Sequence, residues 1–193
     1  MSPEAARQRR NTSPIYLMQI ELRDTDPMVY RRVLVPASIR LVQLSQTIEH
    51  AMGWTGHHSH ELLIDGKRYG AIDSDNPDPD LHCHQELRLL SVLNGAESFE
   101  YVYDFAGRWQ HTINLEQQGP PDQYLLHPLC IDGANACPPE DVGGSSGYTD
   151  FLTAMADPAH PQHEQMLNWY GSHFDALAFD VLAANGRLHA IEF

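Results

Sequence analysis

The sequence predicts an α+β domain in which an antiparallel or mixed sheet is covered by one long helix. Several segments alternate apolar with polar residues around turn signals, which is typical of β-hairpins. Between them, apolar residues recur at the spacing of an amphipathic helix. The last third of the chain combines a Cys-, Pro- and Gly-rich stretch with helical signals. We therefore expect a long loop followed by helices that wrap the core.

Three hairpins are predicted, each made of two alternating segments joined by turn residues. The turn of the second hairpin is Asp65-Gly66, a pair that favours a type I′ turn. An acidic, Pro-broken stretch at residues 73–80 predicts an exposed loop after it. The paired segments are residues 15–22 with 29–35, 60–64 with 67–69, and 99–103 with 109–115.

The long helix is predicted at residues 41–52, where apolar side chains follow a helical stripe. Leu44 and Ile48 lie on this stripe and are expected to be buried. Gln43 and Glu49 lie on the opposite side and are expected to face solvent. Residues 125–147 show no periodicity and predict a loop, and further helical signals occupy residues 148–155, 161–170 and 180–184.

A chain of 193 residues suits a single domain. We place the domain at residues 15–185, with a sheet core at 15–120 and the loop and helices at 121–185. Residues 1–14 include three arginines without periodicity and predict a flexible tail. Residues 186–193 are expected to form a second tail.

The charge of the chain restricts its partners. Lys and Arg total 12 against 26 Asp and Glu, which gives a net charge of −14. Broad binding to nucleic-acid backbone or to anionic lipid needs concentrated positive charge, so neither is expected. No apolar run approaches the roughly 20 residues of a membrane span, and no signal-peptide pattern is present. We expect a cytoplasmic protein whose partner is a protein that carries basic residues.

Histidines near two predicted strands form one candidate site. His58 precedes the second hairpin and His60 begins it, while His111 shares a strand face with Trp109. Asp104 lies across the hairpin turn from His111. A His/His/Asp set can bind a metal or carry out acid–base chemistry. The alternative is that His111 is a hydrogen-bonded core histidine and Asp104 anchors its turn.

The Pro- and Gly-rich stretch holds a second candidate site. Cys130, Cys137 and His127 offer two thiolates and an imidazole, a ligand set that zinc prefers, although C-x6-C is wider than the usual spacing. The alternative is that both thiols are reduced and packed in the core. Glu140 and Asp141 follow, and their carboxylates can either bond to the loop backbone or bind a cation or a basic partner.

Three motifs occur in order along the chain: Tyr30–Pro36 with Ala51–Trp54, Tyr101–Phe105 with Trp109 and His111, and Cys130-x6-Cys137-Pro138-Pro139-Glu140-Asp141-Val142-Gly143-Gly144. Together they resemble the plasmid pRiA4b ORF-3-like family over about residues 15–180. The resemblance implies an α+β fold and an association with bacterial plasmids and mobile elements. It carries no demonstrated activity, although some members have a resolvase-like label. Val142 stands where many members have a third Cys, which weakens the case for a Cys-ligated metal.

The motifs of common enzyme classes are missing from the sequence. It contains no nucleophile elbow, phosphate-binding loop or dinucleotide fingerprint. A resolvase needs a serine nucleophile among arginines that hold the scissile phosphate, and arginines are few here. The sequence therefore predicts a non-enzymatic binding or accessory protein. A metal-dependent hydrolase that uses the His/His/Asp set is the alternative.

The charge pattern predicts that the isolated chain does not bind duplex DNA at physiological salt. A gel-shift titration with a random duplex checks this, and sub-micromolar binding that weakens with salt would contradict it. Arg7, Arg9 and Arg10 are the one basic cluster near the start of the sequence. Removing this cluster should abolish any residual shift.

Overall fold

The computed structural model describes residues 12–192 and confirms the α+β fold class. Eight strands form one sheet in the order β5-β4-β3-β6-β7-β1-β2-β8. Neighbouring strands are antiparallel except for β4 and β5, which are parallel. The elements are β1 (Ile15–Leu22), β2 (Val29–Pro36), α1 (Leu41–Met52), β3 (His60–Ile64), β4 (Lys67–Gly70), β5 (Leu81–Cys83), α2 (Leu89–Val92), β6 (Ser98–Tyr103), β7 (Trp109–Gly119), β8 (Leu129–Ala134), α3 (Gly144–Ala156), α4 (His163–Tyr170) and α5 (Val181–Leu188).

The three predicted hairpins are present as β1–β2, β3–β4 and β6–β7. Two strands were not predicted. β5 has only three residues, too few for an alternating pattern, and β8 lies inside the stretch that was predicted as loop. β8 has a glycine, Gly133, at a position where a side chain would not fit. A Cβ there would lie 2.7 Å from the Phe179 ring. This glycine hides the strand pattern from the sequence.

Helix α1 is buried on two sides, which corrects one sequence prediction. Nine of its twelve residues are buried, and α5 packs along the side that faces away from the sheet. Gln43 and Glu49, which were expected to face solvent, are only 5% and 2% exposed. The Gln43 amide donates to the backbone carbonyl of Glu192 at 2.9 Å. The C-terminal segment thus covers the side of α1 that was predicted to be exposed.

The last helix extends beyond the predicted domain boundary at residue 185. Asp180 caps its start by accepting from the Leu182 and Ala183 amides, and the helix continues to Leu188. Leu188 and Ile191 are buried in the core, so residues 186–192 belong to the domain and not to a tail. Of the tail predicted at residues 1–14, residues 1–11 lie outside the described part of the chain.

The outer edge of β8 is bonded to a side chain from α5. The Asn185 amide nitrogen donates to the Cys130 carbonyl at 2.8 Å, and its amide oxygen accepts from the Cys130 backbone N–H at 2.8 Å. This pair of bonds has the pattern that a neighbouring strand would make. It explains how α5 is held against the sheet edge.

In the part of the chain that the structure describes, no helix is long and apolar enough to cross a membrane.

Leu44 is fully buried between the sheet and the C-terminal segment. We expect Leu44→Ala to lower the free energy of unfolding by about 2–5 kcal/mol, since it leaves a cavity in the core. Gln46, which is exposed on the same helix, provides the control. Gln46→Ala should change stability by no more than about 0.5 kcal/mol in the same urea titration. Equal losses from both variants would contradict the orientation of α1.

Candidate functional site

Three loops meet at one end of the sheet and form the candidate site. They comprise residues 53–59 before β3, residues 104–108 between β6 and β7, and residues 135–143 after β8. The second loop packs closely against the start of α3, because a Cβ on Gly144 would lie 2.5 Å from the Gly107 carbonyl oxygen. Antiparallel pairing places the start of β3 and β7 beside the end of β6. The sheet thus brings together loops that are distant in sequence.

Glu140 fixes the position of the third loop. Its carboxylate accepts from the Thr55 N–H at 3.0 Å, the Thr55 hydroxyl at 2.7 Å and the Tyr103 hydroxyl at 2.6 Å. Partial burial raises the pKa of Glu140, but the bonds from Thr55 and Tyr103 outweigh it and leave the pKa below its ordinary value. The Trp54 indole N–H adds a bond to the Pro138 carbonyl at 3.0 Å. These bonds hold the loop backbone, as one sequence interpretation of Glu140 proposed.

His58 lies between two carboxylates of the neighbouring loops. Its Nε2 is 3.2 Å from Asp141 Oδ1, and its Nδ1 is 3.8 Å from Asp104 Oδ1. The imidazole also packs edge-on against the Tyr103 ring, with centroids 5.6 Å apart. Asp104 additionally accepts from the Ala106 N–H at 3.1 Å, so it anchors its own turn. The structure therefore brings His58, Asp104 and Asp141 together.

His60 belongs to a separate, buried group. Its Nδ1 lies 3.1 Å from the buried Glu49 carboxylate, and Glu49 accepts from the Tyr101 hydroxyl. The His84 ring is 5.4 Å from the His60 ring, centroid to centroid. Burial raises the pKa of Tyr101 well above its ordinary value, and the nearby Glu49 carboxylate adds to the rise. This group connects α1 to β3 and β6 underneath the loops.

His111 and Trp109 lie in the core, apart from His58 and His60. His111 is fully buried, and its Nδ1 lies 3.3 Å from the Tyr101 carbonyl oxygen. Its ring packs at a centroid distance of 5.3 Å from Trp54, which also contacts Trp109. Burial lowers the pKa of His111 to about 4, so it is neutral at pH 7. The candidate His/His/Asp set is thus divided among three environments.

The predicted zinc ligands are also separated. Cys130 faces the core on β8 and donates to the Asp132 carbonyl, whereas His127 packs against His189 with ring centroids 5.3 Å apart. Burial raises the pKa of the Cys130 and Cys137 thiols, which keeps both protonated at pH 7. Across residues 12–192, no group of three or more His, Cys, Asp or Glu side chains could hold a metal ion.

A surface cavity of about 370 Å³ opens beside the third loop, between α3 and α4. We call it the Asp150 cavity. It has two carboxylates, Asp141 on the loop and Asp150 on α3, and an aromatic wall. In that wall the Phe151 and Trp169 rings pack edge to face at 5.9 Å. Its lining residues are Asp141, Val142, Gly147, Asp150, Phe151, Gln162, Gln165, Met166 and Trp169.

Sequence reasoning missed Glu49, Asp150 and Trp169. For Glu49 a signal existed, because α1 has only two ionisable residues, Glu49 and His50, which is typical of a helix buried all round. For Asp150 and Trp169 the sequence predicts the helices but not their contact. Nothing in the spacing of the two segments shows that α3 and α4 enclose a cavity.

Comparisons with known proteins cover almost the whole fold. A family model described as plasmid pRiA4b ORF-3-like protein matches residues 14–183, a range that includes all eight strands and all three loops. The uncharacterised protein y4hQ of Sinorhizobium fredii is 38% identical over 169 residues, which are 87% of this chain and 84% of that protein. A crystal structure of MM3350, a protein of unknown function from Methanosarcina mazei Go1, has a TM-score of 0.79 at 28% identity. It covers 88% of this chain and 96% of its own.

The depressed pKa of His111 predicts a pH dependence of stability. The unfolded chain takes up this proton as pH falls below about 6.5, whereas folded His111 does so only near pH 4. The contribution of buried, neutral His111 to the free energy of unfolding is therefore complete above pH 6.5. It is lost as the pH falls from about 6.5 to about 4. The loss is about 3 kcal/mol, from the size of the pKa difference. Urea titrations across this range should show a shallower pH slope for His111→Phe than for the wild type. Exposed His57 is the control, and His57→Asn should keep the wild-type slope.

Glu49 is expected to be as important for stability as an apolar core residue. Glu49→Ala leaves the buried Tyr101 hydroxyl without its acceptor, so we expect a loss of about 1–3 kcal/mol in the free energy of unfolding. Thermal and urea unfolding measure it. A change as small as that of Gln46→Ala would show that the carboxylate is solvated.

Proposed function

The chain belongs to the plasmid pRiA4b ORF-3-like family, and we propose that it is a cytoplasmic, non-enzymatic protein that binds a basic side chain of a partner protein. The binding site is the Asp150 cavity. The observation that carries the proposal is that this cavity combines two exposed carboxylates with the partly exposed Trp169 ring. An arginine or lysine side chain needs both features, one for its charge and one for its stem.

The carboxylates of the cavity are accessible to a ligand. The Asp141 side chain is 72% exposed, and its described ion-pair partner is His58. Asp150 is also exposed, and within residues 12–192 no cationic side chain lies within 4.0 Å of it. A guanidinium or ammonium group entering the cavity would therefore meet a carboxylate with no competing cation. This contrasts with Glu140, whose oxygens are occupied by three donors.

The apolar wall suits the rest of such a side chain. Trp169 is 48% exposed at the cavity, and an indole face attracts a cation within about 6 Å of its centroid. The partly exposed Met166 side chain provides contact area for the methylene stem. A volume of about 370 Å³ is at the lower end of the range of about 300–1,000 Å³ that ligand sites occupy. It fits one side chain and not an extended cofactor.

The charge of the whole molecule favours the same partner. A net charge of −14 attracts basic proteins over a distance and raises their rate of association. The hydrolase alternative gains no support from the geometry. His58 and Asp104 lie together, but His60 faces Glu49 and His111 is enclosed by aromatic rings.

A pair of synthetic peptides tests the proposal by calorimetry. One is an acetylated, amidated alanine pentapeptide with a central arginine, and the other has citrulline, which keeps the shape but lacks the charge. We expect the citrulline peptide to bind about tenfold more weakly, a difference of about 1.4 kcal/mol. Binding of the arginine peptide should weaken with added salt, because salt screens exposed charges.

Two conservative variants locate the site. Asp150→Asn should weaken binding of the arginine peptide by about tenfold or about 1.4 kcal/mol, while leaving the citrulline peptide unaffected. Glu86→Gln removes one exposed carboxylate outside the cavity lining and should bind like the wild type. Equal affinity for both peptides, or an Asp150→Asn variant that binds as tightly as the wild type, would refute the proposal.

A further inference from the structure

We propose that a second cavity, of about 440 Å³ and located at the C-terminal end of α1, binds a small aromatic carboxylate through the guanidinium of Arg187 beside that of Arg31. We call it the Arg187 cavity. Residues 136–140 line this cavity, whereas residues 141 and 142 line the Asp150 cavity, and the ligand proposed here has the opposite charge. Its ligand and its test are therefore independent of the function proposed above.

Arg31 supplies a buried positive charge in the cavity wall. It is 2% exposed, and its guanidinium donates to the carbonyls of Ala51 at 3.1 Å, Tyr30 at 2.7 Å, Ala134 at 2.8 Å and Asn135 at 2.9 Å. These acceptors are neutral. No described carboxylate lies within 4.0 Å of this guanidinium. The Arg31 guanidinium is thus hydrogen-bonded, but no carboxylate pairs with its charge among the described residues.

Arg187 supplies the donors that a ligand can reach. Its Nε donates to the His50 carbonyl at 2.8 Å, and its Nη2 lies beside Gly53. Among residues 12–192, the two Nη groups have no hydrogen-bond acceptor and no carboxylate partner. The side chain is half-buried and lines the cavity. Paired N–H groups of a guanidinium match the two oxygens of a carboxylate.

The negative groups near the cavity already have hydrogen-bond donors of their own. Both arginines bond to the last carbonyls of α1, whose end carries only about half an elementary charge. Asp180 and Glu140 also line the cavity, but each is occupied elsewhere. Asp180 accepts from two amides at the start of α5, and Glu140 accepts from Thr55 and Tyr103. Both carboxylates keep their charge, so the lining holds two guanidinium and two carboxylate groups. The Nη groups of Arg187 are the donors that remain for an anionic ligand.

The remaining walls indicate an aromatic ligand body. Trp54, Tyr170, Phe174 and Phe179 surround the cavity. Phe179 already stacks on Arg31, with the guanidinium carbon 4.2 Å from the ring centroid. Tyr170 and Phe174 pack edge to face with centroids 5.3 Å apart. Rings in this arrangement favour another ring over an aliphatic chain. The small, exposed Ala183 on α5 also lines the cavity and leaves an entrance for the ligand.

Benzoate is the probe for this site, and benzamide is its neutral counterpart with the same ring. We expect calorimetry with the full chain to show one saturable benzoate site, and benzamide to bind about tenfold more weakly, which is about 1.4 kcal/mol. Arg187→Gln should reduce benzoate affinity by a similar factor. Arg108→Gln removes an exposed arginine outside the cavity lining and should not change it.

A second pair of variants keeps the test valid if loss of Arg187 unfolds the end of α1. Ala183→Trp fills the cavity entrance without changing charge and should abolish benzoate binding. Leu182→Trp adds the same ring at an exposed neighbouring position that does not line the cavity, and it should bind benzoate normally. The proposal is overturned if benzoate shows no saturable binding, if benzamide binds equally well, or if Ala183→Trp binds benzoate like Leu182→Trp.

Discussion

The structure depends on the burial of α1 between the sheet and the C-terminal segment. A helix covered on both sides cannot leave its polar groups to solvent, and several of them bond to other elements instead. Arg31 on β2 and Arg187 on α5 donate hydrogen bonds to backbone carbonyls at its C-terminal end. The Tyr101 hydroxyl on β6 donates to the Glu49 carboxylate. These bonds determine where the sheet, the loops and the last helix lie relative to each other.

The two cavities follow from the same arrangement. Residues 135–143 leave the sheet edge after β8, pass over the end of α1 and start α3. Glu140 and Pro138 hold this segment against Thr55, Tyr103 and Trp54. Residues 136–140 of the segment then line the cavity that holds the two arginines, and residues 141 and 142 line the cavity that holds Asp150 and Trp169. A single fixed loop thus lines two cavities, one with guanidinium donors and one with exposed carboxylates.

The sequence predicts those parts of the fold in which a local period determines burial. The three hairpins and α1 alternate or repeat over enough residues to be recognised, and His111 has a core environment that its neighbour Trp109 indicates. Contacts between distant elements are not encoded in such periods. The burial of Glu49 depends on α5, and the separation of His58 from His60 depends on which carboxylate each strand register brings near. The Asp150 cavity depends on the packing of α3 against α4, so residue spacing cannot predict it.

The bonds between Asn185 and β8 affect how the molecule behaves at high concentration. An edge strand with free N–H and C=O groups is a template for pairing with another chain, which leads to aggregation or strand exchange. At Cys130 both backbone groups on the outer edge are already occupied by the Asn185 side chain. An incoming strand would have to displace α5 before it could pair at this position. The amide therefore blocks strand pairing at this position of the edge while it holds the last helix in place.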